Sequence, residues 1–283
     1  MPIDPHLRDA RPLMVVGAPR CGTRFVASAL NLSPTVRLQG EIPPEAMDSA
    51  VRFLSETGDF FGTVPKWAAS WQHNRRALLY ALWASMAKGR PFQPRTTVTW
   101  FGHKTPRHDK YWQFYRDFLG EVSPKYVFCM RNFVDHYLSM NSIDERYVID
   151  LVARKYRDSV ARYAEMKAAL GDNVSLFILD DLSEGGADYV RETLFERLGI
   201  DADDRTLSRI DASRRANSTV GAGRARRKEL SAAERMFLHR NEDLLDALPA
   251  LRAARPLERT VDHAAPWTRL LSQWRGDARR WIG

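Results

Sequence analysis

Two short segments carry residue types at spacings that could grip anions. The first is Gly17-Ala-Pro-Arg-Cys-Gly22-Thr23-Arg24-Phe25; the second runs from Cys129 through Arg131 and Asn132 to Ser139. In the first, two glycines, a hydroxyl and the flanking arginines Arg20 and Arg24 offer backbone N–H groups and guanidinium donors to a phosphate. Gly17 and Gly22 have the spacing of a nucleotide P-loop. Thr23-Arg24 stands where that loop needs its lysine, so a P-loop kinase or nucleotidase remains only the alternative enzyme. In the second segment Arg131 closes a β-rich run and Ser139 lies within the following helix. A guanidinium fixed at a strand end gives paired, charge-assisted bonds to a phosphate.

The elements that must position these groups can be read from periodicity. Apolar runs at 13–17, 35–38, 97–102, 126–130 and 174–179 predict five strands. Helical spacing resumes at Thr23 through Phe25, Val26, Ala29 and Leu30, and Pro34 closes that helix. The first loop is thus flanked by a strand and a helix, and so is the second. Strands alternating with helices predict an α/β fold with a mostly parallel central sheet flanked by helices. Residues 44–94, with Trp67, Trp71, Leu78, Leu79, Leu82, Trp83 and Met86, read as a helical insertion, chiefly core. The chain from 231 to 283 reads as helices without strands. A single domain over 1–283 accommodates all of this.

With those contexts set, both segments resemble the signatures of the sulfotransferases that use 3′-phosphoadenosine-5′-phosphosulfate (PAPS). Pro19-Arg20-Cys21-Gly22-Thr23-Arg24-Phe25 is similar to the family's 5′-phosphosulfate loop, with Arg24 in place of a second threonine. Arg131-Asn132-Phe133-Val134-Asp135, followed by Ser139, is similar to its 3′-phosphate signature, with Phe133 in place of proline. The resemblance implies a P-loop-like sulfotransferase fold of the bacterial or carbohydrate type. It further implies that residues 20–25 cradle the donor's phosphosulfate and that Arg131 and Ser139 hold its 3′-phosphate. Arg224, in the basic stretch ending at Lys228, resembles a loop that closes over the nucleotide. Leu179-Asp180-Asp181-Leu182 resembles a structural acidic element.

The same resemblance assigns the chemistry. Glu41 stands in a Gly-Glu element after the second strand and is expected to be the general base, with His103 as its rival. Lys104 resembles the lysine that approaches the sulfuryl group, so Lys104 and Arg20 are expected to stabilise charge. No metal is expected, since no His-Glu-x-x-His or similar ligand spacing occurs. The expected product nucleotide is adenosine 3′,5′-bisphosphate. The acceptor stays open between a glycan, a glycolipid and a small hydroxylated metabolite.

Composition narrows the partners. A net charge of +8 and a pI near 9.6 favour anionic partners. The critical arginines punctuate two strand ends rather than a face, which suits one small anion better than a nucleic-acid groove. Two cysteines cannot build a disulfide framework, and no apolar run spans a bilayer. The expected compartment is therefore the cytoplasm. Trp267, Leu270, Leu271, Trp274, Ala278, Trp281 and Ile282 form an apolar stripe flanked by arginines. It is read as a peripheral contact with the inner face of the membrane or with a partner, docking on the protein's own body being the alternative.

Overall fold

The computed structural model describes residues 7, 9–87, 98–210, 227 and 229–253. Five strands, β1 (Arg11–Gly17), β2 (Val36–Gln39), β3 (Trp100–Lys104), β4 (Lys125–Met130) and β5 (Val174–Ile178), form one sheet in the order β2-β3-β1-β4-β5. Every pairing is parallel. This is the predicted fold class, an α/β protein with a parallel central sheet. The strands read as continuous apolar runs because both faces are covered. Leu13 and Val15 pack on one face with α1 (Thr23–Leu30) and the helical segments after β5. Met14 and Val16 pack on the other face, beneath α2 (Pro44–Gly62), α3 (Pro65–Met86), α4 (Trp112–Leu119), α5 (Phe133–Asn141) and α6 (Ile149–Leu170).

The helical insertion is α2 and α3 as far as residue 87. Trp71, Leu79 and Trp83 are buried, so that aromatic stripe is core, while Trp67 stays exposed. After β5 come α7 (Leu182–Val190) and α8 (Asp204–Ser208), then α9 (Ala232–His239) and α10 (Asp243–Ala253). Ser231 and Glu234 form a reciprocal capping box that starts α9. The apolar stripe from Trp267 to Ile282 lies outside the described residues.

Strand order explains where the chemistry gathers. From β1 the chain moves toward β2 on one side, and from β4 it moves toward β5 on the other. Adjacent strands whose connections diverge leave a crevice at their carboxyl ends, where ligands bind in open α/β sheets. Gly17 is in register with Cys129, so the two segments expected to grip anions leave the sheet side by side. On the other flank of β1, Gln39 is in register with His103. That register brings Gly40-Glu41 beside Lys104-Thr105.

Candidate active site

The first loop is shaped by three residues with positive φ: Gly17 (111°), Arg20 (67°) and Gly22 (87°). At Gly17 a methyl group would overlap the Cys129 carbonyl, so only glycine lets β1 leave so close to β4. A left-handed arginine costs about 1 kcal/mol. Arg20 offsets this by donating from Nε to Ser139 Oγ at 3.1 Å, which ties the first loop to the second. Turned backbone followed by the N-terminus of α1 is a ready anion cradle. The first turn of α1 holds no acidic side chain and exposes Arg24.

The remaining residues of this segment divide by burial. Cys21 is fully buried, with its Sγ 3.5 Å from His136 Nδ1, and burial pushes its thiol well up. Phe25 packs on Phe177 in the core. Cys21, Gly22 and Phe25 can therefore offer only backbone groups, whereas the side chains of Arg20, Thr23 and Arg24 line an open cleft.

At the end of β4, Asn132 caps α5 by accepting from the Asp135 amide at 2.9 Å. Asp180, just past β5, accepts from the Asn132 amide and from its side-chain nitrogen, both at 2.6 Å. Arg131 sits between Asp135 at 2.8 Å and Asp180 at 3.8 Å, with its side chain only 15% exposed. Two carboxylates thus hold the guanidinium just past the end of β4. Phe133 occupies the first helical position, where proline is common, and its ring is buried against Tyr156. Tyr156 in turn donates to the Arg131 carbonyl at 2.8 Å. Burial, with Arg131 and Arg107 nearby, brings His136 down to about 3, so it is neutral beside the crevice.

The third cluster comes from β2 and β3. Lys104 Nζ, mostly buried, forms an ion pair with the half-exposed Glu41 carboxylate. Pro19, Arg20, Thr23 and Arg24 face Glu41, Pro43, Pro44, Lys104 and Pro106 across a cleft of about 530 Å³. His103 is absent from that lining. Its ring is fully buried, Nδ1 lies 3.0 Å from Thr105 Oγ1 and Nε2 lies 3.2 Å from Tyr115 OH. Burial, with His108 and Lys104 nearby, drives its pKa well down.

Of the residues expected from sequence, Arg20, Thr23, Arg24, Glu41 and Lys104 converge on one cleft. Ser139 joins them through Arg20, and Arg131 stands on the adjoining strand end. Arg224 lies outside the described residues. Arg227, in the same basic stretch, bonds Asn141 at 3.3 Å and pairs with Glu234, which also accepts from Tyr137. Sequence reasoning missed Asp135 as a partner of Arg131 and Thr105 as a partner of the Ile42 amide. Among the described residues no group of three or more His, Cys, Asp or Glu side chains is placed to hold a metal ion, and no helix is long and apolar enough to cross a membrane.

Fold and site together define a parallel α/β protein with a cleft lined by basic side chains at the carboxyl ends of β1, β2 and β3. The chain is similar to the sulfotransferase domain of the Synechococcus olefin synthase, at 15% identity and a TM-score of 0.46 over 90% of this chain and 91% of that one. It is similar to a sulfotransferase of Mycobacterium avium, at 13% identity and a TM-score of 0.48 over 91% and 78% of the two chains. A mouse sulfotransferase complexed with PAP gives 14% identity and a TM-score of 0.45 over 88% and 90%. No family model matches the sequence, and no curated protein matches it.

Proposed function

We propose that this protein is an enzyme that transfers a sulfuryl group from PAPS to a hydroxyl or amine of a glycan, glycolipid or small-metabolite acceptor. What supports the reading is that the turned loop after β1 and the Arg131–Ser139 segment leave adjacent strand ends, beside the Lys104–Glu41 pair at the ends of β3 and β2. A donor with separate 3′-phosphate and 5′-phosphosulfate groups needs two cradles, and Arg20 bonded to Ser139 joins them. The turned backbone of residues 17–22, Thr23 and Arg20 would hold the phosphosulfate, and Arg131 with Ser139 the 3′-phosphate.

In the reaction, the acceptor oxygen attacks sulfur while the bond from sulfur to the bridging oxygen breaks. The acceptor proton passes to Glu41, and the leaving adenosine 3′,5′-bisphosphate takes the bridging electron pair. Lys104 and Arg20 meet the charge that grows on the leaving oxygen, where fixed cations in a half-closed cleft are most effective. The Lys104–Glu41 pair keeps both groups in place before the donor enters. As the donor's charge draws Lys104 toward it, Glu41 is freed to accept a proton.

A kinase or nucleotidase would need a cation after Gly22 aimed at its phosphates, and Thr23-Arg24 offers only an exposed arginine. The deciding experiment follows labelled sulfate from PAPS into glycans, glycolipids and hydroxylated metabolites, with labelled ATP run in parallel. Transfer from PAPS alone supports the proposal. Transfer from ATP alone would replace it with a kinase.

A further inference from the structure

We propose that Thr105 is a positioning residue for Glu41, the near end of a buried hydrogen-bond relay that continues through His103 and Tyr115 to Met47. The proposal rests on the reading of Glu41 as the general base.

Among the described residues the hydrogen-bonding tether of the Glu41 side chain is Lys104, and that side chain is half exposed. Its placement therefore depends on the backbone that carries it. The next residue, Ile42, donates its amide to Thr105 Oγ1 at 3.1 Å in a buried setting. Thr105 is 4% exposed and directly follows Lys104, so β3 sets both halves of the ion pair.

The polarity of the relay follows from counting protons. Tyr115 has one hydroxyl proton and donates it to Met47 Sδ at 3.4 Å. We therefore assign the tautomer in which it accepts from His103 Nε2 at 3.2 Å, with the imidazole proton on Nε2 and Nδ1 an acceptor. The Thr105 hydroxyl donates to that Nδ1 at 3.0 Å, and its oxygen is free to accept from Ile42. From the Ile42 amide to Met47 Sδ each polar group of the relay has a partner, an arrangement that fixes geometry strongly.

Both ends of the relay grip the same stretch. Ile42 is held by Thr105, and Met47, in the first turns of α2, is held by Tyr115. Between them Pro43 and Pro44 remove backbone freedom. Residues 42–47 are thus pinned at two points, immediately after the carboxylate that must meet the acceptor. This also accounts for a neutral histidine beside the catalytic lysine: His103 works from behind the cleft and touches no substrate.

The test exploits acceptor acidity. Two probe acceptors are used at about pH 8.5, octyl glucoside, whose hydroxyls need a base, and 4-nitrophenol, which has largely lost its proton at that pH. Thr105→Val keeps the shape and removes the hydroxyl. It should lower kcat on octyl glucoside about 10- to 100-fold, the scale of a misplaced catalytic group. On 4-nitrophenol it should stay within about twofold, and affinity for adenosine 3′,5′-bisphosphate should hold. Thr105→Ser should restore the octyl glucoside rate, and Tyr115→Phe, which cuts the far end, should give a smaller loss with the same acceptor dependence. Equal losses on both acceptors, or Thr105→Ser behaving like Thr105→Val, would overturn the proposal. If Thr105→Val does not fold, an acceptor-independent effect of Tyr115→Phe overturns it equally. Glu41→Gln is run alongside: if it leaves both rates intact, the base assignment itself has failed, separately from the relay.

Discussion

Replacing Arg131 with alanine tests the donor site most directly, because the structure fixes what is left behind. The guanidinium is held between Asp135 at 2.8 Å and Asp180 at 3.8 Å. Its removal deletes one charge-assisted pair to the 3′-phosphate, worth about 2–3 kcal/mol. It also leaves two carboxylates facing that phosphate, and a like charge about 4 Å away adds roughly 1 kcal/mol even where water screens it fully. The sum is about 3–4 kcal/mol, or roughly a 150- to 1,000-fold loss of affinity. Calorimetric titration with adenosine 3′,5′-bisphosphate should show this loss, while adenosine 5′-phosphate should lose less than about threefold. Adding Asp135→Asn to Arg131→Ala should recover part of the affinity, since one of the two stranded charges disappears. Equal losses for both nucleotides would refute the assignment of Arg131 to the 3′-phosphate. A double variant no better than the single one would refute the repulsion argument.

Glu41→Gln should lower turnover on an alcohol acceptor about a hundredfold or more while leaving adenosine 3′,5′-bisphosphate affinity nearly intact, measured by initial rates and by titration. Gly17→Ala should abolish donor binding, since the added methyl overlaps the Cys129 carbonyl and must separate the first loop from β4; nucleotide titration of a variant with native circular dichroism checks this. Transfer should survive EDTA, because Lys104 and Arg20 supply the cations; loss of activity restored by magnesium or zinc would count against that. Acid should destabilise the fold early. His103, His108 and His136 are held neutral, His108 near 4 and His136 near 3, so unfolding takes up protons as pH falls below 6.5. Their stabilisation is whole above that value and declines as pH falls toward about 4 for His108 and about 3 for His136, costing roughly 3 kcal/mol for these two together at about pH 5.5, which urea midpoints at two pH values would reveal.

Contiguous motifs were legible because each is a strand end, a turn and a helix start in one short run. Gly17 to Thr23 announces itself by glycines whose φ values only a turn can use, and Arg131 to Ser139 by a β-rich run breaking into helical spacing. The third cluster was legible only by resemblance. Nothing local says that Gln39 lies beside His103; that register is set by which strand neighbours which, and it alone brings Glu41 to Lys104. The same cause moved β3. The run at 97–102 has the β-rich composition, yet the strand spans Trp100–Lys104 because β1 pairs with it there, with Val15 opposite Lys104. Propensity yields to pairing in a central strand.

His103 shows the limit from the other side. The family resemblance made it a rival base, and histidine is the side chain whose charge changes nearest neutral pH. In a parallel sheet, however, successive residues face opposite layers. With Lys104 turned to the cleft, His103 must point into the helical layer, among Trp83, Tyr115 and His108. There a charge is too costly to hold, and the ring's two nitrogens serve as one donor and one acceptor in a fixed line. A period of two along five residues therefore separates the cation that meets the substrate from the imidazole that aligns the backbone opposite. It is the sheet's alternation, rather than the chemistry of either side chain, that divides those roles.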